Sequence, residues 1–206
     1  MFSKSIGERN RSWYTIIAVL IVASSTQRAE CHVTITSHET RLGMQSIKTG
    51  PCGRYQSERG DIIHVFEAGE TIQLEWNEFV AHPGYFRISF DEDGDDSFVD
   101  PAAYYDFHTN ESVLVDNLFP HEEKDPFGFT YEYELTLPDV ECEDCTLQLI
   151  QVMTDKAPYT SPGDDIYYNC LDVRLVAAVP EPSGWMPLAI GMMGALLVRA
   201  RRTSVI

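Results

Sequence analysis

The chain has 206 residues, with 15 Lys+Arg against 32 Asp+Glu and a formal net charge of −17. Such an acidic surface repels phosphate backbones and anionic lipids, which excludes nucleic acid and acidic membranes as partners. Between residues 32 and 178 the imbalance steepens to 8 basic against 29 acidic side chains, a body suited to solvent outside the cell and to cations or neutral polymers.

The first 31 residues have the three-part form of an export signal. Lys4, Arg9 and Arg11 precede an apolar run over 13–23, and a polar stretch closes on Ala29-Glu30-Cys31. The run is about ten residues, too short to span a bilayer comfortably. Small residues at Ala29 and Cys31 suit signal peptidase, and a cut there makes His32 the first residue of the mature protein. Cleavage after Ala23 or Ala29 is the alternative, and acylation of Cys31 is disfavoured because Arg28-Ala29-Glu30 makes a poor lipobox. A terminal His32 carries an α-amine and an imidazole together, so it can chelate a metal as no internal histidine can.

Strand patterns dominate 32–178, a length that suits one domain. Segments 71–76 and 85–90 alternate polar and apolar side chains, 130–137 and 145–153 do so with short runs, and 166–176 supplies the last strand. Between them stand Pro83-Gly84, the carboxylate cluster 91–96 around Gly94, Pro120, Pro126-Phe127-Gly128 and Pro162-Gly163-Asp164. No segment keeps a period of 3.6. This spacing predicts an all-β fold, an immunoglobulin/fibronectin-III-like antiparallel β-sandwich with long loops. Insertions at 91–127 and 154–165 are expected to be surface loops. The cluster 91–96 lacks the EF-hand order of carboxylates and reads as a solvated hairpin tip.

At the C-terminus, Val179-Pro180-Glu181-Pro182 precedes an apolar segment over 185–198 and then Arg199, Arg201 and Arg202. The segment is about fourteen residues, short for a span, and the arginines favour the cytoplasmic side. This ending resembles the PEP-CTERM sorting signal of Gram-negative bacteria. The resemblance implies processing by an exosortase, with transient anchoring of 179–206 and the body of the chain at the cell surface or released. A permanent anchor is the alternative.

With Cys31 removed, Cys52, Cys142, Cys145 and Cys170 remain. An even number in an exported domain reads as two disulfides, with three connectivities. Cys142 and Cys145 also have the spacing of a zinc half-site or a redox motif, although no second Cys-x-x-Cys exists. The favoured pairing is Cys52–Cys170 with Cys142–Cys145.

Six histidines are present: His32, His38, His64, His82, His108 and His121. His82 lies between a predicted strand and the Pro-Gly turn that opens the next, at a sandwich end with a fixed exit direction. His38, His64, His108 and His121 read as solvated loop histidines. A mature terminal His32, the stretch from Leu74 through Trp76 and His82 to Ile88, and the ending Tyr167-Tyr168-Asn169-Cys170-Leu171-Asp172-Val173 together resemble lytic polysaccharide monooxygenases. The likeness is to the small bacterial, chitin-binding-type group and its relatives, and it spans almost all of 32–176.

That resemblance implies copper as cofactor, held by the amine and ring of His32 and by the ring of His82, with Tyr167 on the axial side. It implies oxidation of a glycosidic C–H bond in a polysaccharide by activated O₂ or peroxide. A polar group near the metal is needed to position the oxygen species; Gln148 and Gln151 are the candidates, and Gln151 is preferred. The family also supports Cys52–Cys170. Tyr55, Tyr104, Tyr105 and Tyr159 are loop aromatics for sugar stacking or for loop packing. Signal peptidase and exosortase are the expected processing partners, and a monomer is expected. The rival reading is a non-catalytic copper carrier on the same two histidines.

Overall fold

Strict alternation becomes strand wherever one face can be covered, and eight strands result: β1 (Val33–Ile35), β2 (His64–Glu67), β3 (Thr71–Glu78), β4 (Gly84–Asp91), β5 (Val113–His121), β6 (Phe129–Thr136), β7 (Cys142–Met153) and β8 (Ile166–Val176). The structure, a computed structural model, describes residues 33–43, 48–108, 110–125, 127–160 and 165–178. The leader 1–31, His32 and the segment 179–206 lie outside the described residues. No helix among those described is long and apolar enough to cross a membrane.

The strands form two sheets, β1-β3-β6 and β2-β8-β7-β4-β5. Every pairing is antiparallel except β2 with β8, which run parallel at the sheet edge. The all-β sandwich expected from the sequence is therefore the fold. In β3, Ile72, Leu74 and Trp76 face inward while the residues between them are more open. They meet Phe86, Ile88, Leu147, Leu149, Leu171 and Val173 of the larger sheet in one core. Trp76 is fully buried and lies 5.3 Å from the Phe86 ring. Burying such a side chain stabilises the fold by roughly 1.5–3 kcal/mol.

Strands β4 and β7 are buried on both faces. Tyr85, Ile150, Val152, Ile166 and Tyr168 form a second cluster, with Tyr104, Phe107 and Tyr159 packed against it. Arg87 shares the two-sided burial of β4, and a charge there needs a partner. Asp116 supplies it: Arg87 Nη2 and Nε donate to Asp116 Oδ2 at 2.6 and 3.0 Å, and Nη2 also reaches the Asp106 carbonyl at 2.7 Å.

Two expectations need correction. The stretch 91–127 is not all loop, because β5 pairs with β4 inside it. Register shifts break that pairing, and Asn117 and Phe119 adopt positive φ (52° and 47°). The bulges destroy the alternation by which a strand is recognised. Strands β1 and β2, of three and four residues, are too short for the same test. The acidic stretch 91–96 is solvated only in part: Glu92, Asp93 and Asp95 are exposed, but Asp96 lies 2.5 Å from Arg41, which is itself buried and bonded to Asp172 at 2.5 Å.

Cys52 is bonded to Cys170 across 118 residues, and Cys142 to Cys145. On the chain-entropy model the longer loop contributes up to ~4–5 kcal/mol. It ties the segment before β2 to the middle of β8.

Candidate functional site

Two of the residues singled out in the sequence, His82 and Gln151, both hydrogen-bond Glu78 at the end of the sandwich where β3 hands the chain to β4. His82 sits in that connection, 9% exposed. Its backbone N–H donates to Glu78 Oε1 at 2.9 Å. The backbone on either side is also held, Ala81 N–H by the Asp125 carbonyl at 2.9 Å and the Pro83 carbonyl by Thr154 N–H at 2.7 Å. Gly84 allows β4 to begin at once, since a Cβ there would stand 2.1 Å from the Val152 carbonyl oxygen. The ring is oriented as well: Nδ1 lies 3.1 Å from Asp155 Oδ2, and Lys124 Nζ donates to the same oxygen at 2.7 Å. Burial opposes the charge on Asp155, but the bonds to Lys124 and His82 outweigh it and hold the carboxyl below its usual range.

Glu78 is the centre of the site. Its position continues the inward face of β3 after Ile72, Leu74 and Trp76, and it is 1% exposed. Four donors surround it. Oε1 accepts the His82 backbone N–H and the Gln151 side-chain amide. Oε2 accepts the Tyr131 hydroxyl at 3.0 Å and faces His121 Nε2 at 3.3 Å. The His121 contact is poorly aligned as a hydrogen bond, so its attraction is chiefly ionic. His121 Nδ1 lies 2.9 Å from the Phe119 carbonyl. The Phe119 carbonyl only accepts, so Nδ1 carries the hydrogen of that bond. Glu78 accordingly raises the pKa of His121 above its ordinary value, against the effect of burial. Burial and the neighbouring Glu78 also push the Tyr131 hydroxyl well above its usual range.

Gln151 and Tyr167 face each other across the β7–β8 pairing, both buried between the sheets. Because Glu78 accepts from its amide nitrogen, Gln151 turns its carbonyl oxygen the other way. That oxygen is buried and has no hydrogen-bond partner. Lys48 Nζ lies 5.1 Å from the centre of the Tyr167 ring. Gln148, three residues earlier on β7, points to the opposite face and donates to the Pro51 carbonyl at 2.7 Å. Strand β1 starts at Val33, which pairs with Glu78.

Glu78, Asp155, Lys124, Tyr131 and His121 were not anticipated. For Glu78 a signal existed: an acid two residues beyond Trp76 falls on the apolar face of an alternating strand, where it needs partners. His121 is not a solvated loop histidine, since it closes β5 against Glu78 with its side chain 10% exposed. Among the loop aromatics, Tyr55 and Tyr105 are exposed, whereas Tyr104 and Tyr159 pack edge to face at 4.9 Å. Nearer the site, Phe129 pairs with Glu78 in the β3–β6 register, and Phe79, Phe127 and Phe129 are all exposed.

No protein-family model and no curated protein matches the chain. Among solved structures it is similar to the lytic polysaccharide monooxygenase AA15 from Thermobia domestica in the Cu(I) state. That similarity has 17% identity and a TM-score of 0.45, over 71% of this chain and 100% of that one. It is also similar to an AA10 lytic polysaccharide monooxygenase from Streptomyces lividans, with 10% identity and a TM-score of 0.35, over 72% and 84% of the two chains.

Proposed function

We propose that this chain is an exported, copper-dependent oxidoreductase that cleaves a polysaccharide, with copper held by the amine and ring of a mature N-terminal His32 and by the ring of His82. The observation that carries the reading is the pairing of Val33 with Glu78, whose carboxylate also holds the backbone of His82. Val33, the first described residue of β1, thus lies beside the strand end that leads to His82.

The donor set suits the metal. A histidine that ligates through one ring nitrogen nearly always gives the other to a carboxylate or carbonyl, and His82 Nδ1 lies against Asp155. Two imidazoles and an amine supply three nitrogen ligands, a set that copper favours. Copper bound there would supply one-electron chemistry for activating O₂ or peroxide toward a glycosidic C–H bond.

The chain's own residues would do the rest. Asp155 fixes the tautomer and aim of the His82 ring. Tyr167 closes the side facing β8 with a buried ring. Gln151 offers a buried carbonyl oxygen that can accept a hydrogen bond from an incoming O–H donor. The exposed Phe79, Phe127 and Phe129 offer apolar surface to a neutral polymer, in keeping with an acidic chain that attracts no polyanion.

The test begins with the intact mass of the exported protein, which should correspond to a chain starting at His32. Cu(II) should then bind with one tight site that is lost in His82→Ala and in protein carrying one extra glycine ahead of His32. Oxidised oligosaccharides should appear from at least one insoluble glycan with reductant and peroxide. A mature terminus elsewhere, or binding indifferent to His82→Ala, overturns the proposal. Tight copper with no turnover on a broad glycan panel assigns the site to metal carriage instead.

A further inference from the structure

Two histidines that the copper site does not use meet toward the other end of β8. His38 follows β1, and its ring centre lies 5.2 Å from that of His64, the first residue of β2, with the planes 86° apart. His64 pairs with Val173, about six residues along β8 from Tyr167, which at the rise of a strand is roughly 20 Å. Hydrogen bonds settle which nitrogens remain. His64 Nε2 lies 2.9 Å from the Glu39 carbonyl, which only accepts, so Nε2 carries the hydrogen and Nδ1 is left to ligate. His38 Nδ1 lies 2.8 Å from Ser37 Oγ, which also accepts the Glu75 backbone N–H at 3.0 Å. Nε2 of His38 and Nδ1 of His64 make no hydrogen bond among the described residues. A metal-binding histidine nearly always gives its other nitrogen to a carbonyl, a carboxylate or water, and His64 does so here.

Two imidazoles on one tetrahedral ion, at about 2.0–2.1 Å per nitrogen, hold their ring centres roughly 5 Å apart. The separation of His38 and His64 matches that spacing. Both rings are half-buried, and Phe66 packs against each, 5.5 Å from His38 and 6.4 Å from His64. We propose that His38 and His64 form a second metal site, separate from the copper at His82, for a divalent transition ion that favours imidazole, such as Zn(II) or Cu(II). The acidic body of the chain raises the local concentration of such cations. Among the described residues no third histidine, cysteine or carboxylate stands close enough to join the pair. Water fills the remaining positions, and an open hollow of about 380 Å³ beside His38, lined by Ile35, Ser37, Glu39 and Gly43, gives it room. The ion is therefore exchangeable, unlike one in a closed structural site with four protein ligands.

The experiment titrates Zn(II) into the full secreted protein, ¹⁵N-labelled and stripped of metal by chelation, at neutral pH. The Nε2 signal of His38 and the Nδ1 signal of His64 should shift together and saturate at the same zinc concentration. His38→Ala should weaken zinc at the remaining ring at least about tenfold, since even an outer partner of a metal ligand is worth 10–100-fold. His64→Phe, which keeps a ring beside Phe66 and removes the nitrogen, should do the same to His38. Ring signals that do not respond to zinc, or that respond at unrelated concentrations, overturn the proposal, as does zinc binding of wild-type strength in either variant. The wild-type signals decide the matter by themselves should a variant fail to fold.

The second site and the copper oxidase fail separately. Places this far apart with no shared partner act independently, so His82→Ala should leave the zinc response of His38 and His64 within about twofold of wild type. A response that disappears in His82→Ala would assign the shifts to the copper site and overturn the proposal. A wild-type chain that binds no copper at its terminus refutes the oxidase reading, while the signals of His38 and His64 still decide the second site.

Discussion

Replacing Asp155 with alanine tests the orientation of the candidate ligand with little disturbance of the fold. The Asp155 side chain is 14% exposed and touches two groups, the His82 ring at 3.1 Å and Lys124 at 2.7 Å. Lys124 is largely solvent-exposed, so its pairing with Asp155 adds little, on the order of 0–1 kcal/mol. The His82 contact matters for another reason: it sets which ring nitrogen is protonated and how the ring is aimed. Removing such a partner typically lowers metal affinity 10–100-fold, equivalent to about 1.4–2.8 kcal/mol of binding.

Asp155→Ala should therefore weaken Cu(II) by that factor in a competition titration while the midpoint of urea unfolding of the metal-free protein barely moves. Lys124→Met serves as the control and should change affinity less than about threefold, in keeping with a screened surface pair. Copper affinity within twofold of wild type in Asp155→Ala would refute the argument that this carboxylate orients a ligand. A drop in metal-free stability of more than about 2 kcal/mol, far beyond a surface pair, would refute the claim that its role is local.

Three further outcomes follow from the same contacts. Arg87→Met leaves Asp116 buried with its ion-pair partner gone, so urea unfolding should show a loss of about 3–5 kcal/mol; the double variant with Asp116→Asn should recover part of it, and a single-variant loss below 1 kcal/mol would sink the reasoning. Replacing Cys52 and Cys170 with alanine should lower stability by up to ~4–5 kcal/mol, measured by denaturant unfolding, whereas an unchanged midpoint would remove the disulfide from the account. His38 has its pKa lowered from the ordinary 6.5 by burial and then by His64, whose ring lies 5.2 Å away. The unfolded chain then takes up that proton first, so the contribution is complete above pH 6.5 and is lost as the pH falls through the lowered folded value. Stability measured from pH 7.5 down to 5 should decline less steeply in His38→Asn; an equal slope would contradict the shift.

The aromatic chemistry of the site was largely hidden in the sequence, and the reason is separation along the chain. Tyr131 and Gln151 reach Glu78 from 53 and 73 residues away, and no local pattern encodes such a meeting. His121 reads as a loop residue because β5 carries register shifts and Pro120, which erase alternation. Glu78 was nearer to legible. Extending the alternation of β3 by two residues puts it on the inward face, but ending the strand at Trp76 conceals it. Gln151 and Gln148 look equivalent on one strand; an odd spacing of three places them on opposite faces, and only the packed sheets decide which face lies between them.

What the residues determined unaided is whatever depends on near neighbours. The period of two gave β3, β4, β6, β7 and β8 and hence a sandwich, and His82 before Pro83-Gly84 marked a sandwich end. What the tertiary structure alone decided is which distant side chains share a buried space. An acid and an amide can stay in that space only because each supplies a hydrogen bond that burial denies the other from water.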